Sequence, residues 1–569
     1  MTGGRLKILI VGGYGVFGGR IAQLLADEPR LTLIIAGRSL AKARAFCGQL
    51  QGQASLRAER FDRDGDVAAQ LRAIAPDMLV DASGTFQGYG EVPYRLVEAA
   101  LALGIDYLDL ADGSDFVAGI GQFDAMARAQ GVLVLSGVSS FPVLTVAVCR
   151  RLAQGLARVD TITGGIAPSP YAGVGLNVIG AIASYAGKQL RLTRNGRPTT
   201  GYGLTETLRY TIGPPGCLPL RNTLFSLVDV PDLTVLPLQW PRLQSVWMGA
   251  GPVPEVLHVA LIALAWTVRL KLVPSLAWLA PVFFRAINTL RWGEHRGGMF
   301  VCVEGANGEG TRISRSWHLL AEGDDGPLIP SMAVEAIVRK VLAGETLPAG
   351  ARSAIADLDL ADYDALFSRR MILTGIREIR SEDDRAPLYR RILGSAFDEL
   401  PKPIRDMHDF NGARVAAGSA TVERGSKVLA KLIGRLFGFP PAGGDVPLTV
   451  RFVSDGGTET WIRSFAGHSF SSRQAEGRGR SDKLLVETFG VFSFALALVC
   501  AADKLSLIVR RWSCLGVPLP LALAPYGDAF EFVRDGRFHF NVEIRLPLAG
   551  LIVRYRGSLV PTDPISPAP

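Results

Sequence analysis

The segment Gly12-Gly13-Tyr14-Gly15-Val16-Phe17-Gly18 follows a short apolar run, Lys7–Val11, and opens a stretch with helical apolar spacing at Ile21, Leu24 and Leu25. Gly13, Gly15 and Gly18 stand at the G-x-G-x-x-G spacing. Between a strand and a helix, each glycine has a mechanical reason. The first permits a tight turn, the second lets backbone approach a pyrophosphate, and the third lets helix and strand pack closely. The positive end of the helix then faces the phosphates. The contacts expected here are Gly13, Tyr14, Gly15, Val16, Phe17 and Gly18.

A chain that begins this way is expected to continue as alternating strands and helices, and it does. Apolar strand patterns recur at Thr32–Ala36, Leu56–Phe61, Met78–Asp81, Tyr107–Leu110 and Val132–Ser136. Helical patterns separate most of them, notably Leu40–Leu50, Val92–Leu103 and Gln122–Ala129. Continuous apolar strands with helices between them predict a doubly wound parallel sheet covered on both faces, a Rossmann domain over residues 1–150.

The end of the second strand selects the cofactor. A site for NAD usually places Asp or Glu about 20 residues beyond the glycines, where it accepts from the ribose hydroxyls. Here the strand runs into Ala36-Gly37-Arg38-Ser39 with no carboxylate. Arg38 offers a planar guanidinium for a 2′-phosphate, Ser39 adds a hydroxyl, and Lys42 lies one helical turn on, so NADP is expected. Small residues Ala82, Ser83 and Gly84, with Thr85, follow the fourth strand where the nicotinamide half would pass, and Asp62, past the third strand, completes the expected contact set.

Beyond residue 150 the alternation loosens. An α+β substrate or dimerisation domain is expected over 151–375, with strands at Thr161–Ile166, Met299–Glu304 and Thr311–Leu320 and helices at Gly173–Gly187 and Ser331–Leu342. The most apolar part of the chain lies within it. Residues 256–284 form two halves split by Arg269 and Lys271, interrupted by Pro274 and Pro281, and accompanied by Trp266, Trp278 and Trp292. Such halves are too short to span a bilayer, and no run of 18 uncharged apolar residues occurs anywhere. They fit a helical hairpin lying in a membrane interface, or equally a buried helix pair or a homodimer interface. A C-terminal α+β domain, residues 385–569, begins with helical patterns and closes on antiparallel strands at Phe530–Arg534, Arg537–Leu546 and Leu551–Arg556.

The charge balance, 61 Lys+Arg against 53 Asp+Glu, gives +8. The basic residues form no stripe with interleaved aromatics, so nucleic-acid binding is not expected. The excess suits a phosphorylated cofactor or anionic lipid head groups. Six cysteines and six histidines are dispersed without metal-site or disulfide-framework spacing, so no metal is expected. A strand pattern within a few residues of Met1 leaves no room for a signal peptide. A cytoplasmic protein is expected, with residues 256–284 in peripheral contact with the inner face of the membrane as a further expectation.

Together, the Gly12–Gly18 turn, Ala36-Gly37-Arg38-Ser39, the Asp81–Gly90 segment, Tyr107-Leu108-Asp109-Leu110-Ala111-Asp112 and Ser139-Ser140-Phe141-Pro142 resemble the saccharopine dehydrogenase-like oxidoreductases, in the family's order. Trp317–Pro330 and the helix after it resemble later segments of that family more weakly. The resemblance implies an NADP-binding Rossmann domain followed by an inserted substrate domain. One departure is Val143, where the family usually carries glycine after the Ser-Ser-x-Pro stretch. The C-terminal unit resembles an uncharacterised domain fused to such proteins in bacteria, which implies no known chemistry.

Candidate acids for catalysis are Asp109 and Asp112, after the fifth strand, together with Tyr89, Tyr107 and His295. The leading functional expectation is an NADPH-dependent reductase that passes hydride to a C=C, C=N or C=O of an apolar, lipid-derived substrate. The alternatives are a saccharopine-type amino-acid imine reductase, which would want Arg and Lys clustered in the second domain, and a non-catalytic lipid-binding or scaffold protein that keeps a dinucleotide fold. A small-molecule or lipid-like substrate and a homodimer are the expected partners.

Overall fold

The computed structural model describes residues 5–84, 86, 89–90, 92–380 and 385–562. Two compact units make up the chain: Met1–Leu208 with Leu224–Thr374, and Arg209–Thr223 with Gly375–Pro569.

The first unit opens with the expected alternation. Strands β1 (Leu6–Val11), β2 (Leu31–Gly37), β3 (Ser55–Arg60), β4 (Met78–Asp81), β5 (Asp106–Asp109) and β6 (Leu133–Ser136) pair in parallel in the order β6-β5-β4-β1-β2-β3. The order in which strands are added reverses at β1, while all stay parallel, which puts the crevice for a ligand at the carboxyl ends of β1 and β4. Ile8, Leu9 and Ile10 of β1 and Leu79 and Val80 of β4 are wholly buried, as both-face coverage by helices requires. Helix α1 (Val16–Leu25) turns Ile21, Ala22, Leu24 and Leu25 inward, and α2 (Leu40–Gln49) starts at Ser39.

The sheet does not end at β6. Gly350–Ser353, some two hundred residues downstream, adds a seventh parallel strand against Leu133–Ser136. Asp124 secures it by accepting from the Ala351 amide at 3.0 Å. The four-residue pattern is too short to be told from a loop in sequence.

A second sheet follows in the chain. Its central strands lie in the order Thr223–Leu227, Ser245–Ala250, Arg158–Ala167, Arg296–Ala306 and Arg312–Glu322, and the last two, which contain the strands expected at Met299–Glu304 and Thr311–Leu320, pair antiparallel. The apolar segment at 256–284 is helical, in two pieces, Glu255–Arg269 and Ala280–Thr289. Each piece has its own dock. Glu255–Arg269 crosses Gly187 so closely that a Cβ there would lie 2.2 Å from the Ala265 carbonyl, and its His258 bonds Ser226 at 2.7 Å. Ala280–Thr289 packs on the helix Leu176–Tyr185, with Asn288 donating to the Val174 carbonyl at 3.2 Å.

The C-terminal unit is richer in strand than its sequence suggested. Short helices Leu388–Leu393, Ala396–Glu399 and Lys402–His408 precede eleven antiparallel strands between Ala413 and Thr562. Pairing of Phe492–Ala501 with Lys504–Cys514 closes the sheet on itself, leaving only Val517–Pro518 outside a ring of ten strands. The three closing strands expected from sequence are part of this barrel.

Candidate active site

The glycine turn is built by backbone touching backbone. Gly12 and Gly13 both donate to the Ala36 carbonyl, at 2.9 and 3.0 Å, which ties β1 to β2 at their carboxyl ends. Gly12 alone among these glycines has a left-handed backbone, φ +79°, so the tight turn expected of Gly13 is made one residue earlier. Gly13 is required for a different reason: a Cβ there would stand 2.8 Å from the Ile10 carbonyl. A Cβ on Gly18 would lie 2.3 Å from the Gly12 carbonyl, the close helix–strand contact expected of the third glycine. Gly15 differs from all of these. A Cβ there meets only the Gly12 carbonyl, at 3.0 Å, and otherwise faces the cleft.

That cleft, about 840 Å³, runs across the carboxyl ends of β1, β2, β3 and β4. Gly12, Tyr14, Gly15, Val16 and Phe17 form one wall. Gly13 and Gly18 are buried beneath it. The opposite wall is Gly175–Val178, the start of the helix Leu176–Tyr185, and Gly175 faces Val16 closely: a Cβ would lie 3.3 Å from its side chain. Two helix N-termini therefore meet at the cleft, neither with a side-chain cap nor with an acid in its first turn. Their unsatisfied amides and positive ends favour an anionic ligand between them.

Tyr14 links the turn to β2. Its ring lies over Gly37, where a Cβ would be 2.6 Å from the hydroxyl oxygen, and that oxygen accepts from the Ser39 amide at 3.1 Å. This contact sets the direction of Arg38, which is exposed and lines the cleft. Ser39 and Lys42 do not line it. Ser39 caps α2, its Oγ accepting from the Lys42 amide at 3.4 Å, and Lys42 is exposed on the first turn. Asp62 is likewise off the wall, because its carboxylate accepts from the Asp64 amide and Gln70 clamps its backbone at 2.8 and 2.9 Å. Its neighbours Phe61, Arg63 and Asp64 take the wall position instead. Sequence reading missed Arg63, although the carboxyl end of a parallel strand was the signal.

The β4 loop brings Ala82, Ser83 and Gly84 to the cleft; Thr85 lies outside the described residues. Asp81, wholly buried, organises this loop. One carboxylate oxygen accepts from Ser83 N at 3.0 Å and Oγ at 2.6 Å, and the other accepts from the Tyr89 hydroxyl at 3.1 Å. Tyr89 lines the cleft, with the Arg63 guanidinium over its ring at 3.1 Å from the centroid. Burial, followed by the charge of Asp81, pushes the Tyr89 hydroxyl well above its ordinary range, so it stays protonated.

The other candidate acids separate by position. Asp112 lines the cleft. Asp109 and Tyr107 are wholly buried in β5, beneath it. One oxygen of Asp109 accepts from Ala111 N, Ser136 Oγ and Gly137 N at 2.9, 3.0 and 2.8 Å, stitching β5 to β6, while Oδ2 has no partner. Burial pushes Asp109 up to about 7 against those hydrogen bonds. His295 lies on the surface, paired with Asp324 at 3.2 Å and packed on Tyr171. The structure thus brings Tyr89 and Asp112 together at the cleft and leaves Asp109 and His295 away from it.

Residues 8–130 match the saccharopine dehydrogenase NADP binding domain, and residues 400–559 match a domain of unknown function, DUF4166. No curated protein matches the chain. Among solved structures, apo saccharopine dehydrogenase (L-Glu forming) from Saccharomyces cerevisiae is 13% identical, covering 66% of this chain and 100% of that one, with a TM-score of 0.46. Biliverdin reductase in complex with biliverdin and NADP+ from Synechocystis sp. PCC 6803 is also 13% identical, covering 60% and 92%, with a TM-score of 0.28.

Two outcomes are expected. Gly15→Val places a branched side chain where backbone faces the cleft. It should weaken NADPH more than a hundredfold in a fluorescence titration while the thermal unfolding profile stays as in the parent; retained binding would place the cofactor elsewhere. The second concerns pH. Asp109 has its folded pKa raised above the unfolded value of about 3.9, so its contribution is full below about pH 4 and is lost as pH rises through about 7. At about 1.4 kcal/mol per pH unit this amounts to a few kcal/mol, to which buried Asp232, pushed up to about 7 by its own burial, adds in the same window. Asp109→Asn keeps the acceptor oxygen and removes the titration. The urea midpoint of the N-terminal unit, read by pulse proteolysis, should fall less steeply between pH 5 and pH 8 in that variant. Parallel curves would mean that Asp109 folds as a carboxylate.

Proposed function

We propose that this chain, an NAD(P)-dependent oxidoreductase whose N-terminal unit is a saccharopine dehydrogenase-type NADP binding domain, uses NADPH to reduce an apolar, lipid-derived substrate. The observation that carries the cofactor preference is Arg38, exposed on the cleft wall at the end of β2, where an NAD site would place a carboxylate. The open face of Gly15 and the two uncapped helix starts fit the pyrophosphate, and Arg38 fits a 2′-phosphate. When bound, the nicotinamide supplies the hydride. The protein's part is to orient the substrate and provide a proton. Tyr89 is the group for that proton by position, since it lines the cleft and its hydroxyl is held at 3.1 Å by Asp81.

The substrate class rests on the apolar segment beside the far wall, since Gly175–Val178 themselves face the pyrophosphate and bring no charged side chain. The helix they begin rests on Ala280–Thr289, and the apolar segment around it is open to solvent. Leu272 is 74% exposed and Trp278 69%, with Val256, Leu270 and Val282 also exposed. No described helix is long and apolar enough to cross a membrane. Apolar side chains of this kind flanked by Arg269, Lys271 and Arg285 fit the interface of a bilayer, from which an apolar substrate would reach the cleft.

Cofactor choice is tested by Arg38→Ala, which removes a charge-assisted contact of roughly 1.5–3 kcal/mol. NADPH affinity should fall about ten- to a hundredfold in calorimetric titration, with NADH nearly unchanged; an equal loss for both removes the assignment. Membrane contact is tested by sedimentation with anionic liposomes. The parent should co-sediment, and replacing Trp266 and Trp278 by Ser should release it with NADPH affinity intact. A parent that ignores liposomes while the same substitutions split a dimer would assign the surface to a second copy and favour the imine-reductase alternative.

A further inference from the structure

The C-terminal barrel encloses space that its own side chains do not fill. Eight strands make a lumen that side chains can just fill, and the diameter grows with strand number, so a ring of ten needs something more. Aromatic residues supply much of it: Phe452, Phe465, Phe538 and Phe540 point inward from three strands and are nearly fully buried. The helices between Leu388 and His408 contribute Tyr389, Phe397, Ile404 and Met407 to the same core. A cavity of about 210 Å³ remains among them, far larger than the water-sized voids of an ordinary interior. Its opening carries Tyr526, which is 53% exposed. The helix Val428–Leu436 packs beside it, sending Ile433 inward while Val428, Leu432 and Leu436 stay exposed.

The charged groups that reach the cavity are already engaged by protein partners. Glu487 accepts from Arg463 at 3.2 Å, Ser472 at 2.6 Å and Gln474 at 3.2 Å. Glu531 pairs with His408 at 2.6 Å, and Glu543 with Arg545 and Arg554. Three carboxylates line the space and Arg463 is the one cation of the described lining. An anionic head group would therefore meet repulsion and find its natural partner taken. A cationic one would have to break a set of satisfied pairs, which is costly in a low-dielectric interior.

We propose that the barrel is a second ligand site of this chain, built for a neutral apolar molecule: a hydrocarbon chain or ring system with at most an uncharged polar end. It is independent of the reading given to the dinucleotide cleft. The full-length protein is titrated with 1-aminoanthracene, a neutral apolar fluorophore at pH 7.5. Saturable brightening is expected, reversed by 1-decanol and at least tenfold less effectively by decanoate. Leu507→Phe and Val542→Phe each add a ring inside the lumen and should weaken the probe at least tenfold with the circular dichroism spectrum unchanged. Hydrogen exchange on the unmodified protein needs no variant: 1-decanol should protect amides of Phe492–Ala501, Lys504–Cys514 and Arg537–Leu546. Absence of saturable binding, equal displacement by decanoate, or protection confined to Glu255–Thr289 would each overturn the proposal.

Discussion

The approach of Gly18 to the Gly12 carbonyl, too close for any Cβ, sets how α1 leaves the sheet. With helix and strand in direct backbone contact, the first turn of α1 points across the ends of β1 and β4 and its free amides are directed at the cleft. The same tightness recurs on the other side of the turn, where a Cβ on Gly12 would sit 2.5 Å from the Ala82 carbonyl. The β4 loop is therefore pressed against the glycine turn, and Ser83, Asp81 and Tyr89 take their positions from it. Tyr14 extends the constraint to β2 through Gly37 and so places Arg38.

Beneath the cleft, the carboxyl edge of the sheet holds two buried acids with different surroundings. Asp81 uses both oxygens on donors within its own loop, including a tyrosine at the cleft wall. Asp109 uses one oxygen to join β5 to β6 and leaves the other buried without a partner, where a proton is held more easily than a charge. The first acid organises the surface of the site and the second its foundation. That division explains why neighbouring carboxylates on adjacent parallel strands can serve separate ends.

The C-terminal barrel obeys a different constraint. Its interior is set by ring size, and ring size by which strands meet to close it. The contact between Phe492–Ala501 and Lys504–Cys514 that closes the ring is a hairpin, local in sequence. The junction of Ala413–Arg424 with Gly550–Thr562 joins the first strand to the last. Edge-free closure buries the ladder and leaves a lumen whose contents are chosen by the inward half of each strand.

Much of the dinucleotide region was legible because its determinants are local. Glycine spacing, apolar strand runs and the missing acid before Arg38 are properties of short segments, and backbone sterics translate them directly into a turn, a sheet and a phosphate-facing helix end. What the sequence could not reveal depends on distant segments meeting. Gly350–Ser353 completes the sheet only because Leu133–Ser136 is there to receive it, and Arg63 belongs to the site only because Tyr89 lies under it. Ser39, Lys42 and Asp62 take their places from a helix cap, a helix surface and a glutamine clamp, which residue spacing does not record. Glu255–Thr289 was readable as apolar helix, but only packing determined which side chains remain in solvent. The barrel's closure was the least legible feature, since strand alternation records which side chains share a face and carries no count of the strands that will finally form the ring.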